Sequence, residues 1–433
     1  MLGGDADGLV AAHVLARGGH HITLIAERPT QRAGGWVPAA LAQELAVTSL
    51  EPPDPWLRAP LLHGGVLELS RDIARSADAL RRISSRDAER WPRFCERMAT
   101  LARLLEDIYL GPPPSLIDLR FALRVRRLGR AAMEEMMRLL PMPAAELLDD
   151  WFETDELKGA LATFAVRNVH QGPRSAGTAF VLLHHHVGNP SGVFRPPRSD
   201  LVAQLGSRSG VALRVGRPAR ITVRGGRVTG VALQSGEELA ANLVLSALSP
   251  RRTLADLIEP GTLDPDLVRA ARHIRARGVT ATVALTLERP AAFSTLTLAP
   301  SVDYVERAYD DVKYRRASVQ PWIDVVAKDA SAEMHCQYLP HGFAAKLDPI
   351  VQKVAPHLPP ITNRQLIPHD DCPDGQPLHA ELALDQALWM RPLPELSGYR
   401  TPVEGLWLGG PAMHPGIAGL CGYNCARQIM RTT

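Results

Sequence analysis

The chain is short of lysine, aromatic residues and cysteine, and it has no long apolar run. Its only lysines are Lys158, Lys313, Lys328, Lys346 and Lys353, so its positive charge is nearly all arginine. With alanine so abundant, that bias reads as genome composition rather than as a function. A formal net charge of +3 over 433 residues argues against a dedicated nucleic-acid binder. The five cysteines (Cys95, Cys336, Cys372, Cys421 and Cys425) are scattered and odd in number, which suits a reducing compartment. Cys421 and Cys425 have three residues between them, which matches neither a redox Cys-x-x-Cys nor a zinc knuckle. No apolar stretch approaches the ~18–20 residues that span a bilayer. The first residues are glycine-rich loop and not a signal peptide. These absences predict a soluble, cytoplasmic chain, long enough to bury a large core in two or three lobes.

What is present lies chiefly at the two ends. Near the start come Gly3, Gly8 and Leu9, an apolar strand from Ile22 to Ile25, Glu27 just after it, and then Gly34 and Gly35. Near the end come Gly409 and Gly410, His414-Pro415-Gly416, Gly419, and Gly422-Tyr423-Asn424 running into a short helix. A dinucleotide needs backbone amides at a helix N-terminus for its pyrophosphate, and glycines where the backbone approaches it closely. A C-terminal glycine loop opening a helix could cover the flavin end of the same molecule. The two ends read as halves of one FAD site. The cofactor-binding candidates are Gly3, Gly8, Glu27, Gly34, Gly35, Gly410, Gly416, Gly419, Gly422, Tyr423 and Asn424.

Between the ends the periodicity changes twice. Residues 65–165 carry helical spacing, with Ser84 and Asp87 as a capping box and Pro112-Pro113-Pro114 dividing two helical blocks. Residues 211–248 alternate as strands around a Gly225-Gly226 hairpin turn. Further strands are expected near Val279 to Leu287 and Trp322 to Val326, and the tail reads strand, glycine loop, helix. The expected class is α/β, with a discontinuous Rossmann-type FAD/NAD(P)-binding lobe from 1–60, 201–255 and 385–433. Residues 61–200 and 256–384 would build a substrate lobe that is helical with a mixed sheet.

Taken together, these segments resemble the phytoene-desaturase-like flavoprotein oxidoreductases, in particular the group named pyridine nucleotide-disulfide oxidoreductase domain-containing protein 2. The resemblance runs through Leu147 to Glu153, Gly177 to His184, Ser249 to Arg252 and Tyr304 to Asp311. It continues through His379 to Leu382, Met390 to Pro392, Tyr399 to Pro402 and the final Gly422 to Asn424. It implies a Rossmann-type FAD lobe, a substrate lobe on a mixed sheet, and oxidation of a hydrophobic or amine-like small molecule by hydride transfer to flavin. The group's name misleads here, because no redox disulfide motif is present.

The departures from the pattern are specific. Where the usual loop reads Gly-x-Gly-x-x-Gly, this chain reads Gly3-Gly4-Asp5-Ala6-Asp7-Gly8, so Asp5 brings a carboxylate toward a dianion. In a partly desolvated loop, two like unit charges at ~4 Å repel by roughly 4 kcal/mol at an effective dielectric of 20. Only two residues precede Gly3, so the first strand of a Rossmann sheet is expected to be missing. Strict counting puts Ala26 where a ribose-binding acid belongs and Glu27 one later, a slip that turns the side chain to the other face unless a bulge corrects it. The tail loop is also poorer in glycine than the family pattern. A non-redox descendant that has lost FAD and acts as a binding or scaffold protein is the alternative reading.

Other features carry a sharp and a bland reading. His414 is the one catalytic candidate, placed to touch flavin or substrate, or else to bond loop backbone. His184-His185-His186 cannot converge on one metal, since adjacent helical residues point in different directions. Arg120, Arg124, Arg127 and Arg130 recur at helical spacing near Leu116, Leu119, Leu123 and Leu128, as in a helix lying on an anionic membrane or in a plain solvated face. Met133, Met136, Met137 and Met142 could line a channel or pack a core. His379 and Glu381 alternate as on a strand, facing a substrate cavity or making a structural hydrogen bond.

Overall fold

The computed structural model describes residues 1–27, 34–113, 126, 129–208, 210–340, 348–367 and 376–432. Arg120, Arg124, Arg127, Leu116, Leu119, Leu123, Leu128, Pro114, Lys346 and Cys372 lie outside these, and with them most of the basic amphipathic helix. No helix among the described residues is long and apolar enough to cross a membrane.

The nucleotide-type half is a parallel sheet drawn from remote parts of the chain. Ala212–Val215 pairs in parallel with Thr23–Ala26, and Leu406–Leu408 with Val244–Ser246. Between these pairs sits Leu2, bridged in parallel to Ile25 on one side and Ser246 on the other. Leu2 N donates to Leu245 O at 2.9 Å and Ala247 N to Leu2 O at 2.7 Å, while Gly3 N donates to Ile25 O at 2.9 Å. The central strand, expected to be missing, is thus present as its last residues. Those residues are the part the fold needs, because the glycine turn and the first helix, Ala6–Arg17, leave from that end.

The first and last helices close this half. Ala6–Arg17 buries nearly its whole length and packs along Leu420–Met430, joining the chain's two ends. Beyond the sheet, Pro218–Arg224, Arg227–Leu233 and Glu238–Ala240 form a small antiparallel sheet. Its tight turn uses Gly225 and Gly226, both at positive φ (56° and 76°), as a two-residue hairpin of this hand requires.

The other half is a five-stranded antiparallel sheet in the order Thr295–Leu298, Ile323–Lys328, Ser331–Gln337, Thr280–Leu287, Ile361–Ile367. The helix Asp348–Val354 packs on its apolar face, while the helices Ser85–Tyr109 and Asp155–Ala165 each pack on Thr178–His186. Ser84 caps Ser85–Tyr109, its side chain accepting from Asp87 N at 3.1 Å. Asp87 does not close the box. Its carboxylate accepts instead from Glu153 N and Thr154 N, both at 2.9 Å, and ties this helix to the start of Asp155–Ala165. The scarce aromatics are concentrated here: Trp56, Trp91, Phe94, Phe152, Phe164 and Phe194 form one buried cluster. Each such ring contributes about 1.5–3 kcal/mol of burial.

Three local expectations meet the structure as follows. Residues 65–165 are mostly helical from Ile73 onward among the described residues, but Val66–Leu69 is a strand that pairs with Leu57–Pro60 as a hairpin. His379 and Glu381 sit on turn and coil, and Glu381 is buried with its carboxylate in a two-pronged pair with Arg277. The methionines split, with Met136 and Met142 in the core and Met137 exposed.

Candidate functional site

A cleft with a cavity of ≈ 290 Å³ runs between the two halves. One end is lined by Asp5, Ala6 and Asp7, beside Gly34, Gly35 and Trp36 and the tail residues Gly416, Ile417 and Ala418. The other end is lined by Arg167, Asn168, His185 and Arg195 to Arg198, with Thr280, Thr282, Glu333 and His335 from the antiparallel sheet.

At the first end the turn is built by close backbone approach. Gly3 has φ +101°, and a Cβ on Gly8 would overlap the Gly3 carbonyl oxygen, so both positions exclude side chains. Asp5 is the N-cap of the first helix, its Oδ1 accepting from Gly8 N at 2.9 Å. Asp7 does the same service for the last helix, which has no side-chain cap of its own. Its Oδ1 accepts from Gly419 N and Gly422 N, both at 2.8 Å, while its Oδ2 is buried with no partner among the described residues. Burial and then the neighbouring Asp5 hold the Asp7 carboxyl well above its usual range, against the pull of the amides.

The sequence-derived candidates separate by position. Gly34, Gly35 and Gly416 line the cleft. Gly3 and Gly8 shape the turn beside it. Gly422, expected to make room for flavin, instead makes room for the first helix, because a Cβ there would overlap the Asp7 backbone. Gly419 has φ +91° and opens the last helix. Gly410 lies against the Ala247 backbone. Tyr423 is buried, its hydroxyl 3.1 Å from a Glu44 oxygen, and Asn424 donates to Tyr109 O at 2.7 Å. Glu27 is partly exposed just past its strand and pairs with Arg252.

His414 takes the bland role. It is fully buried, its Nε2 lies 3.2 Å from Ile108 O, and it packs edge-on against Tyr109, away from the cleft lining. Burial pushes its imidazole down to about 3, so it is neutral at physiological pH. The neighbouring Arg391 is a residue that sequence reasoning missed. Fully buried, it donates to Pro411 O at 2.9 Å, Glu381 O at 3.0 Å and Met413 O at 3.1 Å, which fixes the tail loop. Burial lowers its pKa to about 10, still charged at neutral pH.

The far end was also missed. Asp324, in the middle of a buried strand, accepts from Arg195 Nη1 at 2.6 Å and Nη2 at 3.0 Å, from Arg167 Nη1 at 3.0 Å and from Thr297 Oγ1 at 2.9 Å. Although burial alone would raise it, the two guanidiniums win and hold Asp324 below the usual carboxylate range. One signal for it was in the chain: a lone acid in the apolar run Trp322-Ile-Asp-Val-Val326 demands buried partners. The three adjacent histidines diverge. His184 Nδ1 is 2.8 Å from the Tyr109 hydroxyl, His186 Nδ1 is 2.7 Å from Val193 O, and His185 faces the cleft. Burial, then the Arg167 charge, pushes His185 down to about 3. Among the described residues, no group of three or more His, Cys, Asp or Glu is placed to hold a metal ion.

The backbone at this end has the arrangement that a dinucleotide's pyrophosphate requires. The glycine turn ends a central parallel strand, and the first helix points its N-terminus at a cleft lined also by Gly34, Gly35 and Gly416. The first-turn amides of Ala6 and Asp7 have no partner within their helix. Two carboxylic acids, Asp5 and Asp7, border the cleft where a pyrophosphate would meet that N-terminus, and Asp5 caps it directly.

No protein-family model matches the chain. In sequence it is similar to pyridine nucleotide-disulfide oxidoreductase domain-containing protein 2 of Rattus norvegicus and of Mus musculus. Each is 25% identical over 462 residues, covering 87% of this chain and 80% of the relative. In structure it is similar to an oxidoreductase from Methanosarcina mazei, with a TM-score of 0.61 and 12% identity over 99% of both chains. It is similar also to wild-type putrescine oxidase bound to putrescine, with a TM-score of 0.62 and 14% identity over 100% of this chain and 96% of that one. At these identities the structural likeness speaks to fold alone. The resemblance read from the sequence therefore stands: the chain has the Rossmann-type fold of the FAD-dependent oxidoreductases, and in sequence it is similar to the pyridine nucleotide-disulfide oxidoreductase domain-containing protein 2 group.

Proposed function

We propose that the chain is an FAD-dependent oxidoreductase of the desaturase or amine-oxidase kind, which oxidises a largely hydrophobic small molecule by hydride transfer to flavin. The observation that carries this reading is the cleft itself, lined jointly by the glycine turn of the first helix, the tail loop and the antiparallel sheet. The first-turn amides would hold the pyrophosphate, with Gly34, Gly35 and Gly416 bordering the same cleft while packing against Leu201, Ile417 and Arg391. When bound, the flavin supplies the two-electron acceptor. The protein's share is to position the substrate and exclude water. Trp36, Leu378 and Ile367 offer apolar wall, and the strand residues Thr280, Thr282 and His335 face the same space. No side chain is assigned as a catalytic base. A cytoplasmic location goes with this reading, supported by the buried free thiols of Cys95, Cys336, Cys421 and Cys425.

Asp5 favours a second reading, in which the fold persists as a binding protein with its flavin affinity eroded. Absorbance of the purified full chain in the flavin bands, followed by titration with FAD, separates the two. Stoichiometric flavin supports the enzyme; a chain that stays colourless and takes up no added FAD supports the binding protein.

A further inference from the structure

The substrate end of the cleft carries a partly buried cation that is only half engaged. Among the described residues at this end, Arg167, Arg195 and Arg198 stand against two paired carboxylates, Asp324 and Glu333. Arg195 is fully committed: its Nε donates to Trp56 O at 2.8 Å and both its Nη atoms to Asp324. Arg198 pairs with Glu333 at 3.0 Å. Arg167 is different. Only its Nη1 is engaged, so among the described residues its Nε and Nη2 have no partner, and it lines the cavity. Beside it, the Nε2 of His185 and the Oγ1 of Thr280 are buried at the cleft wall with no partner. His185 is 8% exposed, and it lines the same cavity as Arg167 and Thr280. Desolvated polar groups and a half-engaged charge are costly unless a ligand completes them.

We propose that this patch is a carboxylate-binding subsite, with Arg167 as the charged fork and His185 and Thr280 as hydrogen-bonding neighbours. The substrate class is then an apolar small molecule bearing one carboxylate, its body lying toward Trp36, Leu378 and Ile367. As a substrate assignment this deepens the oxidoreductase reading and rests on it; the binding itself does not need the cofactor. A purely cationic amine would face the Arg167 guanidinium and is disfavoured at this end.

The test is calorimetric titration of the full chain, with and without added FAD, using octanoate, octanamide and octylamine. Octanoate should bind about tenfold more tightly than octanamide, as a charge-assisted pair in a partly desolvated site provides. Arg167→Met should abolish that preference, because Asp324 keeps its two-pronged pair with Arg195 and the fold has no reason to fail. If Arg167→Met nevertheless misfolds, His185→Phe supplies the second measurement and should weaken octanoate several-fold while leaving octanamide unchanged. Equal affinity for octanoate and octanamide overturns the subsite, as does a preference that survives both substitutions. Octanoate binding without FAD uptake would keep the subsite and sink the enzyme reading. FAD uptake without octanoate preference would do the reverse.

Discussion

At one end of the cleft a glycine turn sets Asp5 and Asp7 on two helix N-termini; at the other, Arg167 and Arg195 share a strand-borne Asp324. Both ends bury charge near a ligand space, yet they balance it differently. Each carboxylate of the first end accepts from backbone amides at the positive pole of a helix, yet burial and Asp5 still hold the Asp7 carboxyl well above its usual range. The arginine end keeps one guanidinium half engaged. An anionic group is therefore easier to add at the substrate end than at the nucleotide end, where a pyrophosphate must compete with Asp5 for the same helix.

The largest expected break in this comparison is Asp324→Ala. It removes the shared partner of Arg167 and Arg195 and should cost about 3–5 kcal/mol in urea unfolding. A loss below about 1 kcal/mol, the level of an exposed pair, would show that this end is not a buried charge cluster.

Next is Gly422→Leu. Its side chain would drive into the Asp7 backbone, so the cost should be about 1–3 kcal/mol or more, read as a lowered Tm. Gly111→Ala is the control: no described residue lies within 4 Å of its added Cβ, and stability should change by no more than about 0.5 kcal/mol. Similar shifts for both would deny the close approach of the two helices.

Asp5→Gly sharpens the nucleotide end. It should tighten FAD about tenfold, a fraction of the ~4 kcal/mol that two unit charges at ~4 Å experience at an effective dielectric of 20. Glycine at an N-cap costs only a few tenths of a kcal/mol, so Tm should barely move. Unchanged FAD affinity would remove Asp5 from the pyrophosphate's path.

The smallest effect is in the pH profile of Asp7. Its folded pKa is raised above the ordinary 3.8, so the folded state holds this proton more tightly than the unfolded state. That stabilisation is complete below pH 3.8 and is lost as pH rises through the folded value. Asp7→Asn keeps an oxygen for the Gly419 and Gly422 amides and removes the slope. The stability difference, variant minus wild type, should grow as pH rises from about 4; a flat difference would show that Asp7 does not titrate abnormally.

How much was legible in the sequence follows from distance along the chain. The hairpin around Gly225-Gly226 needs only neighbours, and its strands fell where alternation put them. The meeting of the two ends was legible because glycine has few other uses at such spacing. The strand Ser331–Gln337 was not, since its polar residues mask a burial that only the finished sheet provides. The arginine cluster was half legible: the lone acid in the run Trp322 to Val326 asks for buried partners, but Arg167 is 157 residues from Asp324 and no local pattern names it as one. Gly422 taught the converse lesson. Its need for a bare backbone was plain from the motif, but what approaches it is another helix.

Titrating FAD into the full chain, wild type and Asp5→Gly side by side, tests the central claim that the acidic end of this cleft holds a flavin dinucleotide. The account predicts saturable binding of one FAD per chain by wild type, with a Kd of about 1–100 μM, and tighter binding by the variant. No saturable binding by either protein up to about 1 mM would contradict it.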